Sequence, residues 1–267
     1  MTRLCRAFGD CANDDACGES GFDIRRHAQA SVVFDHLVVD KPGGSGAAMI
    51  DFGSHRLAPG DRMMLTGPSG CGKSSALCAL KDAWIFGGSG GVTLPQEDAV
   101  KFVPQEDYFP DLTLRGLVCA PRDASRFTDA QVKAALAEAG LAEFIPQMDD
   151  ENKRGRYWKE TLSGGQKKKV HIAGVFLQAP STKLLILDEV TSALDPESEK
   201  TLYAKILGKM RHGVVISIVH RMEIAAMHNV VATVADGKVS YARNAPPAET
   251  LESEAAKRYK RHYISPL

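Results

Sequence analysis

The most informative part of this sequence is Gly67-Pro68-Ser69-Gly70-Cys71-Gly72-Lys73-Ser74. It matches the pattern of a glycine, four variable residues, a second glycine, a lysine and a serine or threonine. Residues 62–66 before it resemble a buried strand, and residues 75–84 after it carry apolar side chains at helical spacing. A phosphate-binding loop requires this strand-to-helix context, so the stretch predicts a site for the phosphates of a nucleotide.

The residue types in this loop suit phosphate chemistry. Its glycines at positions 67, 70 and 72 allow the backbone to bend and bring N–H groups close to an anion. We expect Lys73 to reach the β- and γ-phosphates and the Ser74 hydroxyl to bind Mg²⁺. The residues predicted to contact the nucleotide here are Gly67, Pro68, Ser69, Gly70, Cys71, Gly72, Lys73, Ser74 and Ser75.

The composition is that of an ordinary globular protein, with 44% hydrophobic and 25% charged residues in a chain of 267. The formal net charge is +0, which gives no reason to expect a nucleic-acid partner. No stretch approaches the roughly 18 apolar residues of a membrane span, and the first residues lack the apolar region of a signal peptide. These features exclude a membrane span within this chain and favour a globular domain.

The six cysteines do not form the pattern of a disulfide framework. Cys71 and Cys78 lie in and just after the phosphate loop and Cys119 lies apart, so reduced thiols in the cytosol are the simple interpretation. The other three recur every six residues, at Cys5, Cys11 and Cys17. This spacing is not a C-x-x-C metal pattern and includes no histidine, so residues 1–30 are predicted to be a disordered tail or linker and not a metal site.

The rest of the chain alternates strands and helices. Two strands are predicted before the phosphate loop, at residues 32–39 and 47–52, and they fit a small antiparallel sheet beside the main one. The glycine-rich residues 87–91 indicate a loop, and residues 112–179 have a helical composition. Other predicted elements are a strand at 100–103, helices at 129–141, 163–178 and 197–210, buried strands at 183–188 and 214–219, a hairpin at 230–241 and a basic helix at 248–262.

A second candidate site is Leu187-Asp188-Glu189, which follows a continuous apolar run. An aspartate at the end of such a strand commonly holds Mg²⁺, and the next carboxylate could orient the attacking water. Acidic residues are also common in the first turn of a helix, where they are only structural. The phosphate loop upstream favours the catalytic interpretation of Asp188 and Glu189.

The stretch Leu162-Ser163-Gly164-Gly165-Gln166 shows which kind of nucleotide-binding protein this sequence resembles. Taken alone, it could be a serine-capped helix start or a second ring of N–H donors for a phosphate. Together with the two sites above, it makes residues 31–240 resemble the ATP-binding-cassette (ABC) ATPases. Further family motifs follow in order: Gln105, Ser192-Ala193-Leu194-Asp195 and His220.

The resemblance implies an α/β fold of the ABC-type P-loop NTPases. Its parts are a RecA-like core with a mostly parallel sheet, an antiparallel β subdomain and an inserted helical subdomain. We expect the ATPase domain to cover residues 31–245, with the helical subdomain at about 112–180 and a C-terminal extension at 246–267.

The resemblance also implies ATP hydrolysis to ADP and phosphate in a head-to-tail dimer with a second ABC domain, identical or different. Mg²⁺ would be held by Ser74, Gln105 and Asp188. Glu189 would act on water, His220 would contact the γ-phosphate and Lys73 would stabilise charge. Each ATP would bind the phosphate loop of one subunit and the signature of the other, at Ser163, Gly164, Gly165 and Gln166.

The implied partners are transmembrane domains, which would place this ATPase on the cytoplasmic side of a membrane, with no nucleic acid. Because such domains are absent from the sequence, we expect a separate subunit, an excised domain or an incomplete gene product. Two alternatives are a soluble ABC ATPase of translation or DNA repair and a regulatory cassette that only binds ATP. The first usually carries two cassettes or a coiled-coil insertion, and intact Glu189 and His220 argue against the second.

A finer resemblance is to subfamily D, which includes peroxisomal acyl-CoA and lysosomal cobalamin transporters and bacterial peptide-uptake relatives. It rests on Gly67–Ser75, Val103-Pro104-Gln105, Leu112-Thr113-Leu114-Arg115, Trp158, His220-Arg221 and His228.

Two features depart from the family. The usual aromatic residue for adenine is missing from residues 39–42, where Pro42 could offer a small apolar contact, since Phe34 and Phe52 are predicted core residues. The run Lys167-Lys168-Lys169 replaces the usual arginine-containing run, and we interpret it as a solvated helix face in preference to a contact near phosphate.

Overall fold

The computed structural model describes residues 21–42, 47–81, 86–191 and 193–244. Cys5, Cys11, Cys17, Ser192 and the helix expected at 248–262 lie outside these ranges. The strands are β1 (Asp23–His27), β2 (Val32–Asp40), β3 (Ala48–Leu57), β4 (Arg62–Thr66), β5 (Gly88–Pro95), β6 (Val100–Val103), β7 (Leu184–Asp188), β8 (Val214–Ile218), β9 (Val230–Ala235) and β10 (Lys238–Arg243). The α-helices are α1 (Lys73–Leu80), α2 (Leu114–Cys119), α3 (Asp129–Glu138), α4 (Gly155–Thr161), α5 (Gly164–Gln178), α6 (Pro196–Lys209) and α7 (Met222–Ala225).

All ten strands form one sheet in the order β1-β5-β2-β3-β10-β9-β4-β8-β7-β6. The five strands from β9 to β6 are parallel, and β7 and β8 are buried along their whole length. Their continuous apolar sequences are those of strands covered on both faces, as predicted. Parallel strands end at the same edge of the sheet, so the loops that follow β4, β6, β7 and β8 are brought together there.

The antiparallel part of the sheet agrees with the expectation for the residues before the phosphate loop. β2 pairs antiparallel with β3 on one side and with β5 on the other. This part joins the parallel core through β10, which pairs with β3 at Lys238 and Asp51. The Tyr241 hydroxyl also donates to the carbonyl of Phe52 at 3.0 Å across this junction.

Two predictions at the edge of this part were wrong. The glycine-rich residues assigned to a loop form the start of β5, because glycine allows β5 to approach β2 closely; a Cβ at Gly90 would lie only 2.0 Å from the carbonyl oxygen of His36. The predicted tail also contains β1, which pairs parallel with β5 from Asp23 to His27. The structured region therefore begins before residue 31.

The helical subdomain consists of α2 to α5 and shares one apolar core with the parallel sheet. Trp158, Ile172 and Leu187 belong to this core, whereas Leu77 of α1 and Ile186 of β7 belong to the core on the other face. Neighbouring residues of β7 therefore face opposite sides, as the pleat requires. None of the helices in the described ranges combines the length and apolar character that a membrane span requires.

Candidate nucleotide-binding site

The phosphate loop connects β4 to α1 and turns on glycines at positive φ. Gly67, Gly70 and Gly72 have φ values of 155°, 75° and 95°. A Cβ at Gly67 would lie 2.9 Å from both the backbone oxygen and the Cβ of Val234, so a larger residue would displace β9. Gly72 is the N-cap of α1. Because it has no side chain to use the N–H groups of the first turn, these groups are oriented for an anion.

Lys73 lies inside the curve of this loop. Its side chain is buried, and its Nζ donates to the carbonyl oxygens of Gly67 at 3.0 Å and Pro68 at 2.8 Å. These bonds hold the ammonium group where the loop glycines bend the chain. The lysine is thereby placed to meet the phosphates of a nucleotide that binds this loop.

Asp188 and Ser74 form the part of the site that could hold a metal. Asp188 ends β7 and is 3% exposed. Burial raises the pKa of the Asp188 carboxyl and outweighs the hydrogen bond from Ser74, and the charge of Glu189 acts in the same direction as burial. The Oδ1 atom of Asp188 is buried without a hydrogen-bond partner in the described structure.

A buried, unpaired carboxylate oxygen beside a hydroxyl fits a hard divalent cation such as Mg²⁺. The described residues contain no group of three or more His, Cys, Asp or Glu side chains that could hold a metal. Mg²⁺ usually binds through one or two protein ligands together with substrate phosphates and water, so two protein ligands would be enough for such a site. Of the three ligands predicted from the sequence, Ser74 and Asp188 are the two that contact each other.

Glu189 is the centre of a polar cluster made of three residues predicted from the sequence. Its carboxylate accepts a hydrogen bond from Gln105 Nε2 at 2.8 Å and lies 2.6 Å from His220 Nε2. Its backbone has φ of 49°, in the left-handed region, and its N–H donates to the Ile218 carbonyl at 3.2 Å. Left-handed conformations are rare for residues with a side chain, and they concentrate at functional sites.

The loop after His220 is tied to the loop after β7 by a second polar group. Arg221 Nη1 lies 2.9 Å from a carboxylate oxygen of Glu199, which is buried, and Arg221 Nη2 donates to the Leu194 carbonyl. The Thr191 hydroxyl donates to Glu199 at 2.6 Å. Neither Glu199 nor Thr191 was predicted from the sequence, because an acidic residue early in a helix is usually explained by its effect on the helix terminus.

The signature stretch begins α5 with a capping box. The Ser163 hydroxyl accepts from the N–H of Gln166, and the Gln166 side chain accepts from the N–H of Ser163. Gly164 and Gly165 lie beside the loop after β7: a Cβ at Gly165 would be 3.4 Å from Leu194. The helix start predicted at this position is confirmed.

The interpretation of the lysine run was wrong for its middle member. Lys168 is 5% exposed, and its Nζ donates to the backbone carbonyl of Gln105 and lies 3.0 Å from Asp107. Position 168 lies one helical turn before the buried Ile172, so the helical period already places it on the apolar side. Asp107 was missed because it lies in a loop that has no repeating pattern.

Phe34 and Phe52 are core residues, as predicted. Their rings stack at 4.9 Å, and both side chains are buried. They are therefore not available to stack on adenine.

Comparison with known proteins shows the family to which this chain belongs. A family model described as ABC transporter matches residues 53–192. The multidrug transporter MDR2 of Trichophyton equinum is 32% identical over 197 residues, which are 68% of this chain and 14% of MDR2. The multidrug resistance protein pgp-1 of Caenorhabditis elegans is 34% identical over 199 residues, 70% of this chain and 15% of pgp-1.

A bacterial relative and a solved structure are also similar. An uncharacterised ABC transporter ATP-binding protein of Haemophilus influenzae is 30% identical over 229 residues, 86% of this chain and 37% of that protein. The structure of a bacterial Atm1-family ABC exporter with ATP bound superposes with a TM-score of 0.66 at 26% identity, covering 82% of this chain and 41% of the exporter. The chain thus spans less than half the length of each of these relatives.

Proposed function

The chain belongs to the ABC transporter family as an ATP-binding domain, and we propose that it hydrolyses Mg²⁺-ATP to ADP and phosphate to drive an exporter-type transporter. The observation that carries hydrolysis is the contact of Glu189 with both Gln105 and His220, next to the pair of Asp188 and Ser74. A domain that only binds nucleotide has no need of a carboxylate held in this way. The same cluster favours an ATPase over a regulatory cassette.

The geometry of the site supports a role for each of these residues. The N–H groups of the phosphate loop and Lys73 would bind the phosphates, and Ser74 and Asp188 would hold Mg²⁺, while the Gln105 amide contacts Glu189. When bound, Mg²⁺ neutralises charge on the phosphate oxygens. Glu189 orients the attacking water and accepts its proton, and His220 is close enough to Glu189 to stabilise charge near the γ-phosphate.

We also propose that two such domains share each ATP. The signature glycines Gly164 and Gly165 are backed by Ala193 and Leu194 of their own chain. In a head-to-tail dimer they could present α5 N–H groups, with Ser163 and Gln166, to the nucleotide of the partner domain. Closure on ATP and opening after hydrolysis would then provide the motion for transport.

Transmembrane domains are the proposed partners, which would place this ATPase at the cytoplasmic side of a membrane. We propose that such a domain contacts the cavity beside the loop of Gln105, which is lined in part by Tyr108, Phe109 and His171. Among the similar proteins described above, those whose names state a transport role are multidrug transporters and an Atm1-family exporter. These relatives support the exporter type, and the placement in subfamily D remains a proposal on the motif residues alone.

The test is ATP hydrolysis by the purified protein and by Glu189→Gln. The variant keeps the shape of the side chain but loses the base, so we expect turnover to fall by at least about 100-fold while ATP affinity changes less than about threefold. With ATP bound and uncleaved, the variant should accumulate as a dimer in light scattering. Glu160→Gln, on an exposed surface, is the matched control. Turnover at the wild-type rate in Glu189→Gln, or none in the wild type, would overturn the proposal.

A further inference from the structure

Lys168 is a buried cation one helical turn into α5. It is 5% exposed, although its neighbours Lys167 and Lys169 are only partly buried. Burying an ammonium group costs several kcal/mol unless the charge is paired and its N–H groups are bonded. The contacts of Lys168 therefore have to account for its position.

Two groups of the loop after β6 satisfy Lys168. Its Nζ donates to the backbone carbonyl of Gln105, and it forms an ion pair with Asp107 at 3.0 Å. The same Asp107 oxygen lies 3.4 Å from His171 Nε2, one turn further along α5. The loop is thus held against α5 by one carboxylate between two basic side chains and by one backbone carbonyl.

The residue held in this way is the one that contacts Glu189. Gln105 accepts from Lys168 through its backbone and donates to Glu189 through its side chain at 2.8 Å. Fixing the carbonyl restricts the backbone of Gln105, and so restricts where its side-chain amide can reach. Removal of Lys168 would release that restraint and leave Asp107 with less compensation for its charge.

We propose that Lys168 is a positioning residue for hydrolysis, which sets the loop so that the Gln105 amide meets Glu189. It would act through Gln105 and not on the nucleotide. The signature stretch lies one turn earlier in α5 and is proposed to meet the ATP of the partner domain. The contact of Lys168 with Gln105 therefore links this stretch to Glu189, the proposed base of the same chain. The kinetic part of this proposal rests on the proposed ATPase function.

The first experiment measures the Gln105 contact without hydrolysis. In ¹⁵N-labelled protein, the side-chain amide resonance of Gln105 is assigned by its loss in Gln105→Ala, and Glu189→Ala gives its position without the carboxylate. We expect Lys168→Met to move the resonance at least halfway to that position and Lys168→Arg to restore it. Lys167→Met is the matched control and should leave it unchanged. A resonance that stays in place in Lys168→Met overturns the proposal, whether or not the protein hydrolyses ATP.

The second experiment is a double-mutant cycle on turnover. We expect Lys168→Met to lower kcat about tenfold with ATP affinity changed less than about twofold, and to have less than a twofold effect in a Gln105→Ala background. Equal effects in both backgrounds would show that Lys168 acts elsewhere, and would overturn the proposal. Should Lys168→Met not fold, Asp107→Asn weakens the same contact between α5 and the loop. A Gln105 resonance that stays in place in Asp107→Asn would also overturn the proposal. Absence of hydrolysis in the wild type would reject the proposed function only.

Discussion

Lys101 is a buried lysine that forms no ion pair with an acidic side chain in the described part of the chain. It lies in β6, is 9% exposed, and its Nζ donates to the carbonyl of Ala120 at 2.6 Å, just past the end of α2. Gln178 donates to the same carbonyl at 3.0 Å. Burial, together with the positive charge of Arg122, lowers the pKa of Lys101 to about 7.

This shift predicts a pH-dependent stability. An unperturbed lysine has a pKa of 10.5, so between about 7 and 10.5 the unfolded chain binds the proton that folded Lys101 has released. The free energy of unfolding should therefore rise with pH in this window, by up to about 1.4 kcal/mol per unit from this group. Lys101→Met should lose that rise. The free energy of unfolding of wild type, measured with urea, should therefore increase relative to that of the variant between pH 7 and 9. Lys133→Met, an exposed lysine in α3, serves as the control; parallel curves for wild type and Lys101→Met would contradict the prediction.

At the scale of the element, β5 shows how glycine can build a strand. Gly90 has φ of 75°, and a Cβ there would lie 2.0 Å from the carbonyl oxygen of His36. Gly208, near the end of α6, has nothing within 4 Å of the corresponding point. Close packing of the backbone therefore requires glycine at position 90 but not at position 208, although both lie within regular elements.

Alanine substitution should change the free energy of unfolding in opposite directions at these two positions. Gly90→Ala should destabilise the protein by about 1–3 kcal/mol because the Cβ meets backbone that cannot move aside. Gly208→Ala should stabilise it by about 0.5–1 kcal/mol because alanine loses less chain entropy in a helix. Denaturant unfolding of both variants against wild type measures this. Two changes of the same sign would mean that β5 does not pack against β2 as described.

The same elements show which predictions the sequence allowed. Buried β7 and β8 and the start of α5 were predicted because apolar runs and a capping serine are local signals. The start of β5 was not, because clustered glycines indicate a loop unless their strand partner is known. Glu189 and His220 were found through the order of motifs along the chain, but their contact, and the burial of Lys168, depend on how distant segments meet in the fold.

For the whole molecule, the proposed site would be completed by a second domain. Lys73 and the signature glycine Gly165 lie at the starts of two different helices, α1 and α5. In a head-to-tail pair, each ATP would use one of these from each domain. A substitution of Lys73 would then affect the phosphate-loop half of a shared site, and a substitution of Gly165 would affect the signature half.

Mixing two inactive variants tests this arrangement. Gly165→Asp adds bulk and negative charge where the signature would meet phosphate, so it should bind ATP but neither dimerise nor hydrolyse it. Lys73→Ala should fail at binding, since it loses a charge-assisted contact. A mixed dimer has one site with both lesions and one with neither, so activity should reappear on mixing, up to about a quarter of the wild-type rate if subunits pair at random and sites act independently. Full activity of Gly165→Asp alone would rule out the shared site.

The order of strands in the sheet has a consequence for biosynthesis. Met64, just before the phosphate loop, pairs with Ser217 of β8 on one side and with Val231 of β9 on the other. Both partners are synthesised long after β4 has left the ribosome, so the phosphate loop is synthesised well before it can fold. Until then β4 is an apolar strand with two open edges, the kind of segment that holdase chaperones bind and that aggregates when it is left uncovered. A nascent chain of this protein can therefore first bind nucleotide only when translation has passed its last core strand.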